Sequence, residues 1–215
     1  MTLTQLFAGM AATIAISASA LAAAPEALLP LQERWATVNY QPEGKAREQA
    51  FDALLKEADA VVKAHPDSAE ALIWHGIIAS SYAGAKGGLG ALPLAERSRD
   101  DLERAIALDK TALQGSAYTS LGVLYYKMPG WPIAFGDDDK ARQLLTSALK
   151  INPEGVDPNY FYADFLAAEG DSREAMRYLE KAKRAPARPD RPLADAGRRQ
   201  DIAALEEKLR KTLGH

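Results

Sequence analysis

The chain has 215 residues, of which 47% are hydrophobic and 26% are charged, an ordinary globular composition with no sign of intrinsic disorder. Its 26 basic and 29 acidic residues give a net charge of −3, so no basic excess is available to attract phosphate backbones, and we expect no nucleic-acid partner. Cysteine is absent and there are only three histidines, which excludes disulfides and thiolate sites and makes a multi-histidine metal cage hard to build.

Residues 1–22 are predicted to be a secretory signal peptide. The first 24 residues contain no charged side chain, and Ala20-Leu21-Ala22 is a small-x-small cleavage pattern. We therefore expect cleavage after Ala22 and a periplasmic or secreted mature protein without stable membrane insertion. The segment departs from the usual pattern in having no Lys or Arg before its apolar run. The alternatives are an uncleaved anchor, for which about 18–20 apolar residues is marginal, and a buried helix.

Residues 23–186 are predicted to contain about four helical hairpins. The clearest unit runs from Tyr118 to Pro153, and Gly122 and Ala141 are small enough to let its two helices approach closely. The first helix carries one face of residues at i, i+3, i+4 and i+7, and the second carries a matching face. The two faces comprise Tyr118, Leu121, Gly122 and Tyr125, and then Ala141, Leu145 and Ala148. These residue types at these spacings resemble the two helices of a tetratricopeptide repeat.

The other units show the same pattern with varying quality. The segment from Glu33 to Pro66 is a degenerate first unit, and Gly170-Asp171 is read as the tight turn inside the last one. The apolar positions are Leu54, Ala58 and Val61 in the first unit, Leu72, Gly76, Ala79, Leu102 and Ala105 in the second, and Ala163, Leu166, Ala175, Leu179 and Ala182 in the fourth.

The resemblance to tetratricopeptide repeats implies an all-α fold, a right-handed superhelical stack of helical hairpins. Residues 187–215 are predicted to form a connector and a C-terminal capping helix from Asp195 to Leu213, which closes the open end of the stack. Arg198 and Arg199 are assigned to the polar face of that helix. The long inserts between paired helices, together with the export signal, also give the chain a distant similarity to the helical T-component of tripartite periplasmic transporters.

Two inserts lengthen the middle units. Gly84–Gly90 has the composition of a phosphate-binding loop, but it lacks Gly-Lys-Ser/Thr and follows a helix, so we interpret it as a flexible connector. The second insert ends in Asp137-Asp138-Asp139, which could hold a hard cation. The favoured interpretation is that Asp137 caps the next helix and the other two aspartates lie at the positive end of its dipole.

Six residues are candidates for contact with a ligand or partner. Trp131 and Phe135 in the second insert either pack on the repeat stack, with the first insert as one neighbour, or line a binding surface. Tyr160 and Tyr162 are predicted to face the concave groove. His75 beside Trp74 could be a general base, but no nucleophile is placed by sequence to serve it, so a structural role is favoured.

No catalytic, metal-binding or cofactor-binding residues are predicted, and we expect no enzyme activity. We expect instead an exported scaffold or adaptor that binds a protein or peptide partner in the cell envelope, because stacked helical hairpins present a concave face suited to such partners. The alternative is a ligand-binding accessory component of a periplasmic transport system, in which the two inserts wall off a pocket.

Overall fold

The computed structural model of the protein describes residues 19–214, so most of the predicted signal peptide lies outside the described residues. Within this range the chain forms nine α-helices and one 3₁₀ helix, and it contains no β-strand. The helices are α1 Ser19–Asn39, α2 Lys45–Ala64, α3 Ala69–Lys86, the 3₁₀ helix Gly88–Ala91, α4 Leu92–Leu108, α5 Ala112–Lys127, α6 Asp138–Ile151, α7 Val156–Ala168, α8 Ser172–Arg184 and α9 Pro192–Leu213.

The helices pack in successive pairs. Helix α1 packs on α2, α3 on α4, α5 on α6 and α7 on α8, and each pair also contacts the next one along the chain. The expected all-α, right-handed stack of helical hairpins, followed by a C-terminal helix, is confirmed.

Close helix approach inside the pairs depends on glycine, as the sequence predicted. A Cβ added to Gly122 would lie 2.7 Å from Leu145 Cγ in the partner helix, and one added to Gly76 would lie 2.8 Å from Leu102 Cγ. Real Cβ atoms do not approach other atoms this closely, so these positions select glycine for packing between helices.

Aspartate side chains cap the first turns of two helices. The Asp137 side chain accepts a hydrogen bond from the backbone N–H of Lys140 at 2.9 Å, which confirms the predicted N-cap of α6. Asp171 likewise caps α8 after Gly170, whose φ of 86° is the left-handed turn that favours glycine.

The first insert and the first hairpin differ from the predictions. The flexible connector predicted over Gly84–Gly90 is mostly helical, because α3 continues to Lys86 and a 3₁₀ turn begins at Gly88. The first hairpin is also longer than Glu33–Pro66, since α1 already buries Leu28 and Leu31 upstream of it.

Helix α9 begins at Pro192 rather than Asp195 and packs on α1 as well as on α7 and α8. At this contact Gly197 meets the ring of Tyr40 so closely that an added Cβ would lie 2.2 Å from its Cε2. Ala194 joins the apolar core of α1, α2 and α3, which lies at the other end of the chain. The stack therefore closes into a ring, with the first helix of each pair facing inward.

Candidate functional site

A cavity of about 1300 Å³ lies inside this ring. Its wall comes from α1, α3, α5 and α7, from both inserts and from the connector at 186–191. Both predicted inserts therefore border one space, although they come from different helical pairs.

The cavity wall carries exposed apolar side chains. Of the large hydrophobic side chains that are exposed in the described chain, more than half line this cavity: Leu29, Leu89, Leu113 and Ile133. Leu89 of the first insert is 80% exposed and Ile133 of the second is 62% exposed. Single exposed leucines are common on surfaces, but several around one concave space mark a binding region.

Strained backbone lies in the same wall. Leu113 and Gln114 at the start of α5 adopt left-handed φ values of 46° and 56°, and Gly115 follows with 77°. Left-handed conformations cost a non-glycine residue free energy and are concentrated at functional sites. The Gln114 Oε1 atom accepts a hydrogen bond from Asn152 Nδ2 at 2.9 Å, which ties this segment to the end of α6.

Five side chains that we call the closure cluster fasten the ring: Tyr40, Asp157, Arg188, Arg198 and Asp201. Arg198 donates to Asp157 and to Asp201 at 2.9 Å each. Arg188 donates to the second oxygen of Asp157 at 2.6 Å, and Tyr40 donates weakly to Asp201 at 3.4 Å. The cluster thus joins α1, α7, the connector and α9. The prediction that Arg198 belongs to a solvated polar face is wrong, because it is only 7% exposed.

Burial and charge set the protonation of this cluster. Burial alone would raise the pKa of Asp157, but the Arg198 and Arg188 guanidiniums hold it well below its usual range. Burial raises the pKa of Tyr40 to about 12, so its hydroxyl stays protonated and can donate to Asp201. Burial also raises the pKa of Asp201, although the charge of Arg198 opposes this shift. The ion pair of Asp157 with Arg188 and Arg198 is therefore the charged centre of the cluster.

Near the cluster, Arg191 and Trp74 share the cavity wall. The guanidinium carbon of Arg191 lies 5.1 Å from the centre of the Trp74 ring, a cation–π contact. Burial, followed by the charge of Arg188, lowers the pKa of Arg191. Trp74 is 2% exposed, and its indole N–H has no hydrogen-bond acceptor among the described residues.

Of the six candidate contact residues, Trp74 alone lines the cavity. His75 points into the packing between helices, where it is 1% exposed. Its Nδ1 lies 2.6 Å from Asp101 Oδ2 and its Nε2 lies 3.2 Å from Asp59 Oδ1. Two carboxylates therefore hold the imidazole of His75 in place. A solvent-borne substrate cannot reach an imidazole held in this way, which agrees with a structural role.

The two aromatic residues of the second insert separate. Phe135 packs on Tyr125 with ring centres 5.4 Å apart and lies under the Arg99 guanidinium at 4.6 Å, so of the two alternatives it takes packing on the repeat stack. Trp131 is 89% exposed and does not pack on the stack. The insert closes on itself through a Gly136 N–H to Pro129 carbonyl bond, which leaves the Trp131 side chain outside.

Tyr160 and Tyr162 were predicted to face the groove, but the neighbouring Phe161 lines it instead. Tyr160 lies under the Arg198 guanidinium at 4.5 Å, and Tyr162 packs edge-on against Tyr178 of α8 at 4.7 Å. Because successive residues of a helix point in different directions, Phe161 faces the cavity while Tyr160 and Tyr162 lie on other sides of α7. Sequence reasoning also missed Leu89, Leu113, Ile133 and Arg191, because nothing local to them indicates a shared cavity.

Other kinds of site find no support in the part of the chain that the structure describes. Over these residues no group of three or more histidine, aspartate and glutamate side chains is arranged to hold a metal ion. Among the described helices, none combines the length and the apolar character that crossing a bilayer requires.

Comparison with known proteins supports the repeat architecture. Residues 133–200 match the tetratricopeptide repeat family model. No curated protein sequence matches the chain. The TPR protein TTC0263 of Thermus thermophilus is 18% identical and has a TM-score of 0.54, over 85% of this chain and 90% of that one. The stacked helix pairs are those typical of a tetratricopeptide superhelix.

Two further solved structures align less well. MamA is 22% identical, with a TM-score of 0.35 over 66% of this chain and 91% of that one. The pilF protein of Pseudomonas aeruginosa is 13% identical, with a TM-score of 0.37 over 89% of this chain and 92% of that one.

Proposed function

We propose that this protein is a non-catalytic scaffold or adaptor that holds a polypeptide segment of a partner in its central cavity. The observation that carries this proposal is the set of exposed apolar side chains, contributed by both inserts and by two of the inward-facing helices, around one concave space. Apolar side chains kept in water cost free energy that a bound segment would recover.

The size of the cavity favours a polypeptide over a small molecule. At about 1300 Å³ it exceeds the roughly 300–1,000 Å³ of typical small-molecule pockets. Tetratricopeptide proteins typically act as protein-interaction scaffolds, and a concave face built from stacked hairpins suits an extended peptide or a helix.

The test is affinity for peptides selected by display of a random 12-residue library on the immobilised protein. We expect Ile133→Ser to weaken the affinity for the selected peptides about tenfold, because an apolar contact of about 1–2 kcal/mol is lost. Leu193→Ser is the matched control, because Leu193 is 47% exposed but lies outside the cavity wall. Equal losses in both variants would contradict a site in the cavity.

The second insert can be tested separately with Trp131→Ala. Because Trp131 is 89% exposed, we expect the urea midpoint of the variant to match that of the wild type. A loss of peptide affinity at unchanged stability would then place the indole in the contact with the partner. A midpoint that falls as for a core truncation would instead show that Trp131 packs.

Export to the cell envelope is part of the proposal and is supported by the signal-peptide pattern of residues 1–22. Expression of the whole chain followed by cell fractionation and N-terminal sequencing tests it. We expect periplasmic or secreted protein that begins at Ala23. Full-length protein retained in the cytoplasm would contradict export.

A second candidate function is a ligand-binding accessory component of a periplasmic transport system. The observation that favours it is that both inserts border the same cavity. A thermal-shift screen against small solutes distinguishes the two functions. A solute that raises the melting temperature of the wild type, but not that of Ile133→Ser, would favour this candidate.

A further inference from the structure

We propose that the partner segment carries one carboxylate, which pairs with Arg191 in the cavity wall. This inference rests on the proposed function, because it names the chemistry of the occupant of that same cavity. It adds a charged contact to the apolar contacts proposed for the same wall.

Arg191 differs from the other basic residues of the wall. Lys127 pairs with Asp164 at 2.8 Å, and Arg188 and Arg198 both pair with Asp157. Among the residues that the structure describes, Arg191 has no carboxylate within ion-pair distance, although it is partly buried. It is therefore the one cation of this wall, within the described chain, whose charge is not compensated by a direct partner.

The position of Arg191 leaves room for one directly bonded anion. The guanidinium is fixed over Trp74 at 5.1 Å, so little side-chain freedom remains to be lost on binding. Arg188, which flanks it, is itself paired with Asp157 and Asp195, and the charges of Asp157, Asp190 and Asp195 act on Arg191 from beyond ion-pair distance. A partly buried guanidinium without a directly bonded counter-ion is less stable than a paired one, and a carboxylate that accepts two parallel N–H bonds is the ligand best suited to it.

Acidic residues in the same wall limit the number of negative charges that the partner segment can carry. Glu154 and Asp190 are exposed and line the cavity without an ion-pair partner in the described chain. They would repel a polyanion, whereas Arg191 can neutralise one carboxylate. An apolar segment with a single acidic group therefore fits better than an acidic tract or a nucleic acid.

The experiment uses the same display library against the wild type and against Arg191→Gln. Arg184→Gln is the matched control, because Arg184 is exposed on α8 and lies outside the cavity wall. We expect an acidic residue to be enriched at one position of the peptides selected by the wild type and by the control, but not of those selected by Arg191→Gln.

Synthetic versions of the selected peptides then provide the measurement. We expect Glu→Gln or Asp→Asn in the peptide to weaken binding to the wild type about tenfold and to leave binding to Arg191→Gln unchanged, measured by fluorescence anisotropy. Peptides made with free and with amidated C-termini show whether the carboxylate is that of a side chain or of the chain terminus. Loss of affinity on amidation, in place of the side-chain effect, would assign the terminus to Arg191.

Failure of this inference differs from failure of the proposed function. If binding of the selected peptides to the wild type depends on neither an acidic residue nor a free C-terminal carboxylate, or if that dependence persists in Arg191→Gln, the inference is overturned and the peptide-binding function stands. If the wild type selects no peptides at all, the proposed function is overturned, and the inference falls with it.

Discussion

Replacing Arg198 by methionine tests whether the closure cluster holds the ring together. Arg198 is 7% exposed and donates to both Asp157 and Asp201 at 2.9 Å. Methionine keeps much of the apolar stem but removes the charge and all the donors. Asp157 would keep one partner, Arg188, and Asp201 would keep the weak bond from Tyr40.

The expected loss is large for a single substitution. Breaking a buried ion pair by removing one partner costs about 3–5 kcal/mol, because the remaining charge stays buried. Loss of the cation–π contacts with Tyr160 and Phe161 adds to this cost, while the bond that Asp157 retains reduces it. We therefore expect a loss of about 3–4 kcal/mol, or roughly 6–16 °C in melting temperature for a chain of this size.

The assay is urea unfolding followed by circular dichroism, with amide hydrogen exchange of α9 as a local measurement. Arg199→Met, the exposed neighbour on the same helix, is the matched control and should change stability by no more than about 0.5 kcal/mol. We expect faster exchange in α9 and in the end of α1 for Arg198→Met, while the α5–α6 pair is unaffected. A loss below about 1 kcal/mol, or equal losses in both variants, would refute the view that this cluster fastens the ring.

Three further predictions follow from local contacts. Gly76→Ala should lower the free energy of unfolding by about 1–3 kcal/mol because the added Cβ would overlap Leu102. Gly84→Ala on the same helix meets open space and should raise the free energy of unfolding by up to about 1 kcal/mol. Urea midpoints compare the two variants, and a change in the same direction for both would contradict the packing argument. Asp137→Ala should cost about 1 kcal/mol through loss of the α6 cap, and an unchanged thermal midpoint would exclude that role. The pKa of Asp157 is lowered in the folded state, so its contribution to the free energy of unfolding is present above about pH 4 and is lost as the pH falls below that value. Urea midpoints of Asp157→Asn should therefore vary less between pH 5 and pH 3 than those of the wild type. Parallel curves for the two proteins would contradict the ion network.

The helical pairs could be predicted because their information is local. Gly122 and Leu145 belong to adjacent helices of one pair, and the spacing of the apolar positions already defines the two faces that meet. The α6 cap could also be predicted, since an aspartate that precedes a helix commonly accepts a hydrogen bond from a backbone N–H of its first turn. The extent of the first pair was harder to predict, because α1 begins within an alanine-rich segment that also reads as an export signal.

The closure of the ring could not be predicted, because it depends on contacts between the two ends of the chain. Tyr40 and Asp201 are 161 residues apart in sequence, and no periodic pattern links them. Arg198 and Arg199 look alike in the sequence of an amphipathic helix, yet one is buried and the other is exposed. A second neighbour, α1, buries part of the face that a helix capping an open stack would leave in water.

The arginines of the cavity wall have two different roles, fastening the ring and contacting the partner segment. Arg198 and Asp157 line the cavity and fasten the ring, whereas Arg191 lines the cavity without an ion-pair partner in the described chain. Opening the ring with Arg198→Met should therefore weaken all bound peptides to a similar degree, because the whole wall is displaced. Removing the charge of Arg191 should change which peptides bind while leaving the urea midpoint near that of the wild type. If Arg198→Met altered the acidic preference and Arg191→Gln did not, the carboxylate would belong to the closure cluster, and the assignment of Arg191 would be wrong.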